Sequence, residues 1–520
     1  MPIPAKAMKS TVPAIREVSM VILMTLPWLN PFAPGPSPAV VPWLVALAAV
    51  AGLLLLASFS FMKGVATHDE ALAAQSWVVA IAWAWALAGL LSSAIGLLQY
   101  FGAASAFSPW ISQTPLGEAF ANLRQRNQFA SLTNIALAAV LWLEASNRLK
   151  GDRGLLASGL ACLLAMGNAA SSSRTGLLQL TALCVLVGLW GGWRSAPVRR
   201  VLLTAAVAYA LATLALPWLA SFDLSDHGMF SRLRAGDAVC ASRLTLWSNV
   251  LQLVAQKPWW GWGELDYAHY MTQYEGPRFC EILDNAHNLP LHLAVEFGIP
   301  VALLVCGGLG WWVWRQRPWR ETGADRQLAW TVLTMILLHS LLEYPLWYGP
   351  FQMAVGFCLV LLWPTRRIPI RQGIHQQPSL ALMACVLGAI VFIAGCAAAA
   401  WDYYRISQIY LPPQDRRPAY RDNTLAKIGS TWFFDRQVRF AELSTTPLTR
   451  ANAQWTFDTA TALLHYSPEP RVIEKAIESA VLLHRDSEAL MYLARYRAAF
   501  PADHARWAQV NTQAPARLSP

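Results

Sequence analysis

Charged side chains are scarce in this sequence. Only 13% of its 520 residues are Asp, Glu, Lys or Arg, and 55% are hydrophobic, whereas an ordinary soluble domain has about 25% charged residues. This composition argues against a soluble globular protein and indicates an integral membrane protein. Basic cytoplasmic loops then account for the formal net charge of +10, so we expect no nucleic-acid partner.

The common signatures of soluble enzymes are also missing. The sequence contains no GxGxxG turn, no GxxxxGK[ST] phosphate loop, no HExxH helix and no CxxC pair. It also lacks an acidic DxD-type cluster of the kind that holds a metal–diphosphate complex. We therefore expect no metal and no organic cofactor.

Hydrophobic runs that could cross a bilayer are abundant, and a spanning helix needs about 20 such residues. The predicted spans are 17–32, 39–62, 74–101, 128–146, 154–170, 175–193, 201–221, 289–314, 327–345, 349–364 and 379–401. The segment before the first span has no small-residue cleavage pattern, so no cleavable signal peptide is expected. The sequence predicts an all-α integral membrane protein with about eleven transmembrane helices.

Basic residues are concentrated in alternate loops, which orients these spans. They are Lys6, Lys9, Arg16, Lys63, Arg148, Lys150, Arg153, Arg194, Arg199, Arg200, Arg315, Arg317, Arg320, Arg326, Arg366, Arg367 and Arg371. The positive-inside rule makes these loops and the N-terminus cytoplasmic. The other loops then face outwards, and an odd number of spans places residues 402–520 outside as well.

Several arginines in the outward loops run against this trend. They are Arg124, Arg126, Arg174, Arg232, Arg234 and Arg243. Any one of them could be a solvated residue or a lipid-headgroup contact. Their joint occurrence at one membrane face favours a shared anion site, because the guanidinium group binds phosphate in a bidentate manner.

The long outward loop 222–288 holds the most informative stretch, Asp284–Pro290. It places the imidazole of His287, followed by Asn288, where the loop enters a hydrophobic helix. A titratable group is costly at a membrane boundary, so His287 is a functional-site candidate. The same loop predicts an amphipathic helix from Ser242 to about Gln256.

The loop also contains two cysteines, Cys240 and Cys280. They could form a disulfide if the loop faces an oxidising compartment. Two cysteines in one loop need not be close together, so the pairing stays open at this level.

On the span 327–345, His339 and Glu343 are four residues apart, which predicts that they share one helix face, and Tyr344 follows them. The pair fits a buried tie between two helices as well as it fits a functional site.

Residues 402–520 have the composition of a soluble domain. Apolar positions recur at helical spacing in 450–466, 470–484 and 487–499. Short helices of this size predict a helical-hairpin or tetratricopeptide-like domain that binds a partner or braces the membrane part. The sequence thus predicts two domains, 1–401 including the loop 222–288, and 402–520.

A site that contains several arginines and one histidine, but no metal ligands, suits a reaction in which a phosphate or diphosphate group leaves. The arginines would neutralise the developing negative charge, and the histidine would accept a proton from the nucleophile. The substrate would be bound to the membrane and presented at its outer leaflet.

Six short motifs occur in an order and topology that resemble the bacterial O-antigen ligase superfamily (WaaL/Wzy-like). Within it, the chain looks most like the PglL-type protein O-oligosaccharyltransferases. The motifs are Arg124-Gln125-Arg126-Asn127-Gln128-Phe129-Ala130, Ser172-Ser173-Arg174-Thr175-Gly176, Arg243-Leu244-Thr245-Leu246-Trp247, Trp260-Gly261-Trp262-Gly263, Ala286-His287-Asn288-Leu289, and His339-Ser340-Leu341-Leu342-Glu343-Tyr344-Pro345-Leu346. The resemblance covers most of the chain.

The resemblance implies a metal-independent glycosyltransferase of GT-C-type architecture in the bacterial inner membrane. Its active site and C-terminal domain would face the periplasm. It would move a glycan en bloc from undecaprenyl diphosphate to a Ser or Thr hydroxyl of a periplasmic protein such as a pilin. The family's essential loop histidine corresponds to His287. Its phosphate-binding arginines correspond, in order of preference, to Arg243, Arg174, Arg126 and Arg124.

Three other functions compete with this hypothesis. A lipid A-core O-antigen ligase shares the histidine and arginine chemistry, and an O-antigen polymerase joins repeat units on the same carrier. A non-enzymatic transporter is the third, but the sequence shows no internal repeat, and its polar residues gather at one membrane face. The domain 402–520 and the stretch from His339 to Pro345 favour a protein acceptor.

Overall fold

The structure, a computed structural model, describes residues 5–62, 70–149, 153–223, 228–235, 238–363 and 380–512. Within these ranges the chain forms α-helices, short 3-10 segments and turns, without a strand. The first eleven helices are α1 Ala5–Leu29, α2 Val40–Met62, α3 Glu70–Tyr100, α4 Arg126–Ala145, α5 Arg153–Ala170, α6 Arg174–Leu189, α7 Ala196–Leu219, α8 Gly228–Ala235, α9 Arg243–Gln256, α10 Leu265–Met271 and α11 Leu289–Phe297. They are followed by α12 Ile299–Gln316, α13 Ala324–Ser340, α14 Gly349–Leu362, α15 Leu380–Ser407, α16 Thr424–Ile428, α17 Asp435–Thr445, α18 Ala453–Leu463, α19 Pro470–Leu482, α20 Asp486–Ala499 and α21 Pro501–Thr512. The predicted loop residues Lys63, Lys150, Arg366, Arg367 and Arg371 lie outside the described residues.

Five helical segments in the described ranges are long and apolar enough to cross a membrane. They are Val40–Ser58, Gln75–Tyr100, Arg126–Ala145, Ala196–Leu219 and Val386–Tyr410. Three shorter helices are also apolar: Gly154–Ala170, Arg174–Leu189 and Gly349–Leu362. Every predicted span coincides with at least one helix. The prediction of an all-helical chain with several membrane-crossing helices is confirmed.

The chain divides into two compact units. The first combines Met1–Gly236 with Val313–Ala398. At its centre lies α4, which is buried from Gln128 to Glu144 and packs against α3, α5, α6 and α13. Buried polar groups need hydrogen-bond partners, and Ser131 and Asn134 of α4 find theirs on α5, α6 and α13.

The second unit combines Asp237–Trp312 with Ala399–Pro520. Its C-terminal helices pack in sequence order, α18 on α19 and α19 on α20, and they match the three helical ranges predicted there. Tyr270 of α10 lies in the same hydrophobic core as Ile473 and Tyr496. Because α10 supplies part of this core, the segment 237–312 groups with residues 399–520, whereas the predicted boundary placed it with the membrane helices.

The predicted span 289–314 is two helices, α11 and α12, separated by Gly298. Gly298 has φ +87° and ψ 164°, a conformation open essentially only to glycine. A Cβ at this position would collide with the backbone of Trp259. The opposing turn is held to α11 by hydrogen bonds from Trp262 N to Val295 O (2.8 Å) and from Gly263 N to Glu296 O (3.0 Å). The break is therefore imposed by a close approach of two backbones.

Gly298→Ala is expected to destabilise the second unit by about 3 kcal/mol, because it combines an unfavourable backbone conformation with a backbone collision. Gly307→Ala is the matched control, since Gly307 lies inside α12, where an added methyl group would meet nothing within 4 Å, and alanine is the better helix former. Thermal unfolding of the purified variants measures both. Equal unfolding temperatures would contradict the close approach at Gly298.

Candidate functional site

The N-termini of α4 and α6 lie side by side in the first unit. Gln125 caps α4 by accepting a hydrogen bond from Gln128 N (2.7 Å), and Ser173 caps α6 by accepting one from Gly176 N (3.0 Å). The Ser173 hydroxyl also donates to the Asn127 side-chain oxygen at 2.6 Å, which joins the two helix ends. Each helix N-terminus carries a partial positive charge, so the arrangement favours an anion nearby.

Two of the predicted phosphate-binding arginines begin these helices. Arg126 is the first residue of α4, and its guanidinium lies 3.0 Å from the Glu118 carboxylate. Arg174 is the first residue of α6, and its side chain is exposed. The structure therefore brings the backbone positions of both arginines to one pair of bonded helix ends.

Two further arginines hold the neighbouring loops. Arg124 adopts the left-handed conformation (φ 60°) and donates to the Pro31 carbonyl at 2.5 Å. Arg232 donates to the Ser172 carbonyl at 3.1 Å. These contacts give both side chains a structural role in the described arrangement.

The Glu343 motif joins the same helix ends. Asn127 Nδ2 donates to Glu343 Oε1 at 2.9 Å. Glu343 lies in the turn after α13 rather than on the helix itself, and its backbone N–H donates to His339 O at 2.8 Å. Tyr344 follows and stacks on Tyr348, with ring centroids 6.1 Å apart. Three of the motifs are thus in contact in the first unit.

His339 is fully buried beneath this contact. Its Nδ1 lies 2.9 Å from the Ser131 hydroxyl, and Gln179 Nε2 donates to that hydroxyl at 2.8 Å. Ser131 follows Asn127 by one helical turn, so His339 and Glu343 contact the same face of α4. These contacts support the structural interpretation of His339, as a tie between α13, α4 and α6.

His287 lies in the second unit, at the residue before the N-cap of α11. It has a positive φ of 50°, and its backbone N–H donates to the buried side-chain oxygen of Asn285 at 2.9 Å. Asn288 caps α11 by accepting from Leu291 N at 3.1 Å. The two asparagines fix the backbone on either side of His287, while its side chain is half-buried.

Arg243 begins α9 in the same unit. One helical turn later, the Trp247 indole N–H donates to the carbonyl of Ala286 at 3.1 Å. Ala286 is fully buried and immediately precedes His287. The tryptophan therefore ties the helix that carries Arg243 to the loop that carries His287.

Cys240 and Cys280 form a disulfide in the same region, with Cα atoms 5.0 Å apart. The amide of Cys280 also donates to the carbonyl of Cys240 at 2.9 Å. The disulfide closes a loop that contains α9 and α10, and Cys280 lies seven residues before His287. It constrains the loop on both sides of the helix that begins with Arg243.

Replacing both cysteines by serine is expected to lower the stability of the second unit by about 4 kcal/mol, because the bond closes a loop across a separation of 40 residues. Faster hydrogen exchange of the α9 amides would report the loss. Cys162→Ser, a free cysteine in the first unit, is the control. Unchanged α9 exchange in the double variant, or in the reduced wild type, would contradict this role.

Sequence reasoning did not single out Asp266, Asn249 or Asn127. Burial, together with the neighbouring charges of Asp284 and Glu264, raises the pKa of Asp266 to about 7, so this carboxyl group exchanges a proton near neutral pH. Asn249 accepts from Phe279 N at 2.8 Å and so holds the disulfide-bonded segment on α9. In the sequence, Asn127 appeared only as part of the motif from Arg124 to Ala130.

Among the described residues, no three His, Cys, Asp or Glu side chains form a group that could hold a metal ion. The polar groups described above are instead arginines and helix N-termini in the first unit, and a histidine and an arginine in the second. Such groups can neutralise an anionic leaving group and accept a proton.

Three protein-family models match the chain, and together they contain every predicted site residue. A protein glycosylation ligase model matches residues 119–143, and an O-antigen ligase model matches 159–306. A model described as virulence factor membrane-bound polymerase, C-terminal, matches 327–515. The resemblance to O-antigen ligases and protein glycosylation ligases is confirmed. The apolar helices, together with the match to an O-antigen ligase model, indicate that the chain is a multi-pass membrane protein.

Two curated proteins from Acinetobacter baylyi (strain ATCC 33305 / BD413 / ADP1) are similar to it. A ComP-specific O-oligosaccharyltransferase is 26% identical over 310 residues, covering 58% of this chain and 54% of the relative. A general O-oligosaccharyltransferase is 24% identical over 294 residues, covering 52% and 48%. The chain thus aligns with about half the length of these relatives. No solved structure matches it.

Proposed function

We propose that this protein is an O-linked oligosaccharyltransferase. It moves a glycan en bloc from undecaprenyl diphosphate to a Ser or Thr hydroxyl of a periplasmic protein such as a pilin. The observation that carries the proposal is the protein glycosylation ligase match over 119–143. This segment contains the N-terminus of α4, which is bonded through Asn127 to the other two motifs of the first unit. The names of the two curated relatives support a protein acceptor.

In the proposed reaction, the acceptor hydroxyl oxygen attacks the anomeric carbon of the glycan. The bond from that carbon to the diphosphate oxygen breaks, and undecaprenyl diphosphate leaves with the electron pair. His287 takes the hydroxyl proton as general base. Arg243 and Arg174, assisted by Arg126 and Arg124, neutralise the leaving diphosphate. Asn288, His339, Glu343 and Tyr344 support these groups.

The proposed setting is the bacterial inner membrane, with about eleven transmembrane helices of GT-C-type architecture. The active site and the domain 402–520 face the periplasm. The Cys240–Cys280 disulfide supports this orientation, because disulfides persist in the periplasm and are rare in the cytosol. The concentration of basic residues in the opposite loops supports it independently.

A lipid A-core O-antigen ligase is the second candidate, and the O-antigen ligase match over 159–306 favours it. The match to a polymerase family over 327–515 favours an O-antigen polymerase as the third. The three differ only in the acceptor hydroxyl. The test must therefore offer each acceptor separately.

The deciding experiment is a transfer assay in a glycosylation-deficient bacterial cell that makes a lipid-linked glycan. The protein is expressed once with a pilin acceptor and once with a lipid A-core acceptor. We expect glycan on the pilin. Glycan on lipid A-core alone would identify a ligase, and longer lipid-linked glycan without transfer to either acceptor would identify a polymerase.

A further inference from the structure

Asn127 stands between the three motifs of the first unit. Its side-chain oxygen accepts from the Ser173 hydroxyl at 2.6 Å, and its side-chain nitrogen donates to Glu343 Oε1 at 2.9 Å. It also lies next to Arg126, while Ser173 lies next to Arg174. One amide therefore links both arginine-bearing helix ends to the turn after α13.

The direction of these hydrogen bonds is determined by chemistry. The Asn127 nitrogen donates to a Glu343 carboxyl oxygen, so its side-chain oxygen is the atom that accepts from Ser173. The Ser173 hydroxyl accepts from Gly176 N at 3.0 Å, so its own proton is available for Asn127. The hydrogen bonds run in one direction, from the α6 backbone to the Glu343 carboxylate. Chains of this kind strengthen each bond along them.

We propose that Asn127 is a positioning residue for donor binding, an inference that rests on the proposed function. It holds the N-termini of α4 and α6 in one register and so sets the separation of Arg126 and Arg174. Bidentate contacts to a diphosphate tolerate little displacement of the guanidinium groups. Glu343 contributes by fixing which way the Asn127 amide points.

The test replaces the hydrogen-bond donor of Asn127 by an acceptor, and then exchanges the acceptor at Glu343 for a donor. Asn127→Asp places two carboxylates against each other, and we expect the apparent KM for the undecaprenyl-diphosphate-linked donor to rise about tenfold, while kcat and the KM for the acceptor change less than about threefold. In the double variant Asn127→Asp, Glu343→Gln, the glutamine amide donates to the new aspartate, which still accepts from Ser173. We expect its donor KM to return to within about threefold of the wild type.

Asn147→Asp is the matched control, because Asn147 is exposed just beyond the other end of α4. It adds the same charge and should leave the donor KM unchanged. An unaltered KM in Asn127→Asp, or a double variant no better than that single variant, would overturn the inference. If Asn127→Asp does not accumulate, the double variant alone is the test. A tenfold rise of the donor KM in the double variant would also overturn the inference. A wild type that transfers no glycan would instead count against the proposed function.

Discussion

Replacing His287 by asparagine is expected to lower kcat for glycan transfer by about 10²- to 10⁴-fold, the contribution of a positioned general base. Asparagine cannot accept the hydroxyl proton, but it tolerates the left-handed backbone found at this position, where φ is 50°. The hydrogen bond from residue 287 N to Asn285 Oδ1 is made by the backbone and should remain. Single-turnover transfer to a pilin acceptor measures the effect.

His287→Ala serves as the companion variant. It removes the same base, and alanine tolerates this left-handed conformation less well than histidine or asparagine does. Both variants should therefore be inactive, while only the alanine variant should unfold at a lower temperature. If the asparagine variant keeps wild-type kcat, His287 is not the base. If both variants lose activity and unfold early, the residue is structural.

Arg243→Lys is expected to reduce kcat/KM for the lipid-linked donor by about 10- to 100-fold, nearly as much as Arg243→Ala. A hydrogen bond to a charged group contributes about 1.5–3 kcal/mol, and the lysine ammonium cannot reproduce the planar, two-point contact of a guanidinium with a phosphate. The loss should appear at the donor, with the acceptor KM unchanged. Transfer rates at varied donor concentration measure it.

The control for this substitution is Arg315→Lys. Arg315 is exposed in the last turn of α12, and the sequence predicts that it lies on the cytoplasmic side. It should leave donor kinetics as in the wild type. Full activity of Arg243→Lys would mean that charge alone suffices at this position, which contradicts a bidentate contact. Loss of the Trp247 contact is excluded as a cause if α9 retains its hydrogen-exchange protection.

The helices of this protein follow from its sequence because the signals are local. In a membrane, long continuous apolar runs satisfy their backbone hydrogen bonds by forming helices, so every predicted span contains at least one helix. The start of α9 was also predictable, since Ser242 is a favourable N-cap before an amphipathic run. The same holds for α18 to α20, whose apolar residues repeat at helical spacing.

The contacts between the candidate residues were much harder to predict from the sequence. His339 and Glu343 were predicted to share one face of α13, but the helix ends at Ser340, and their contacts are with α4. Asn127 was not predicted as a site residue, because an asparagine at the end of a loop is common. Its partners are 46 and 216 residues away in the chain, and no local pattern encodes such contacts.

The sequence by itself determined the all-helical membrane architecture, the loop histidine, the arginines that run against the charge trend and the family to which the chain is similar. Hydrophobic periodicity, charge asymmetry and short motifs carry that information within a few residues. Only the tertiary structure decided that Gly298 interrupts a predicted span and that Cys240 pairs with Cys280. It also decided that Asn127 joins two helix N-termini to Glu343. Each of these features depends on atoms far apart in the chain that approach one another only after the helices have packed.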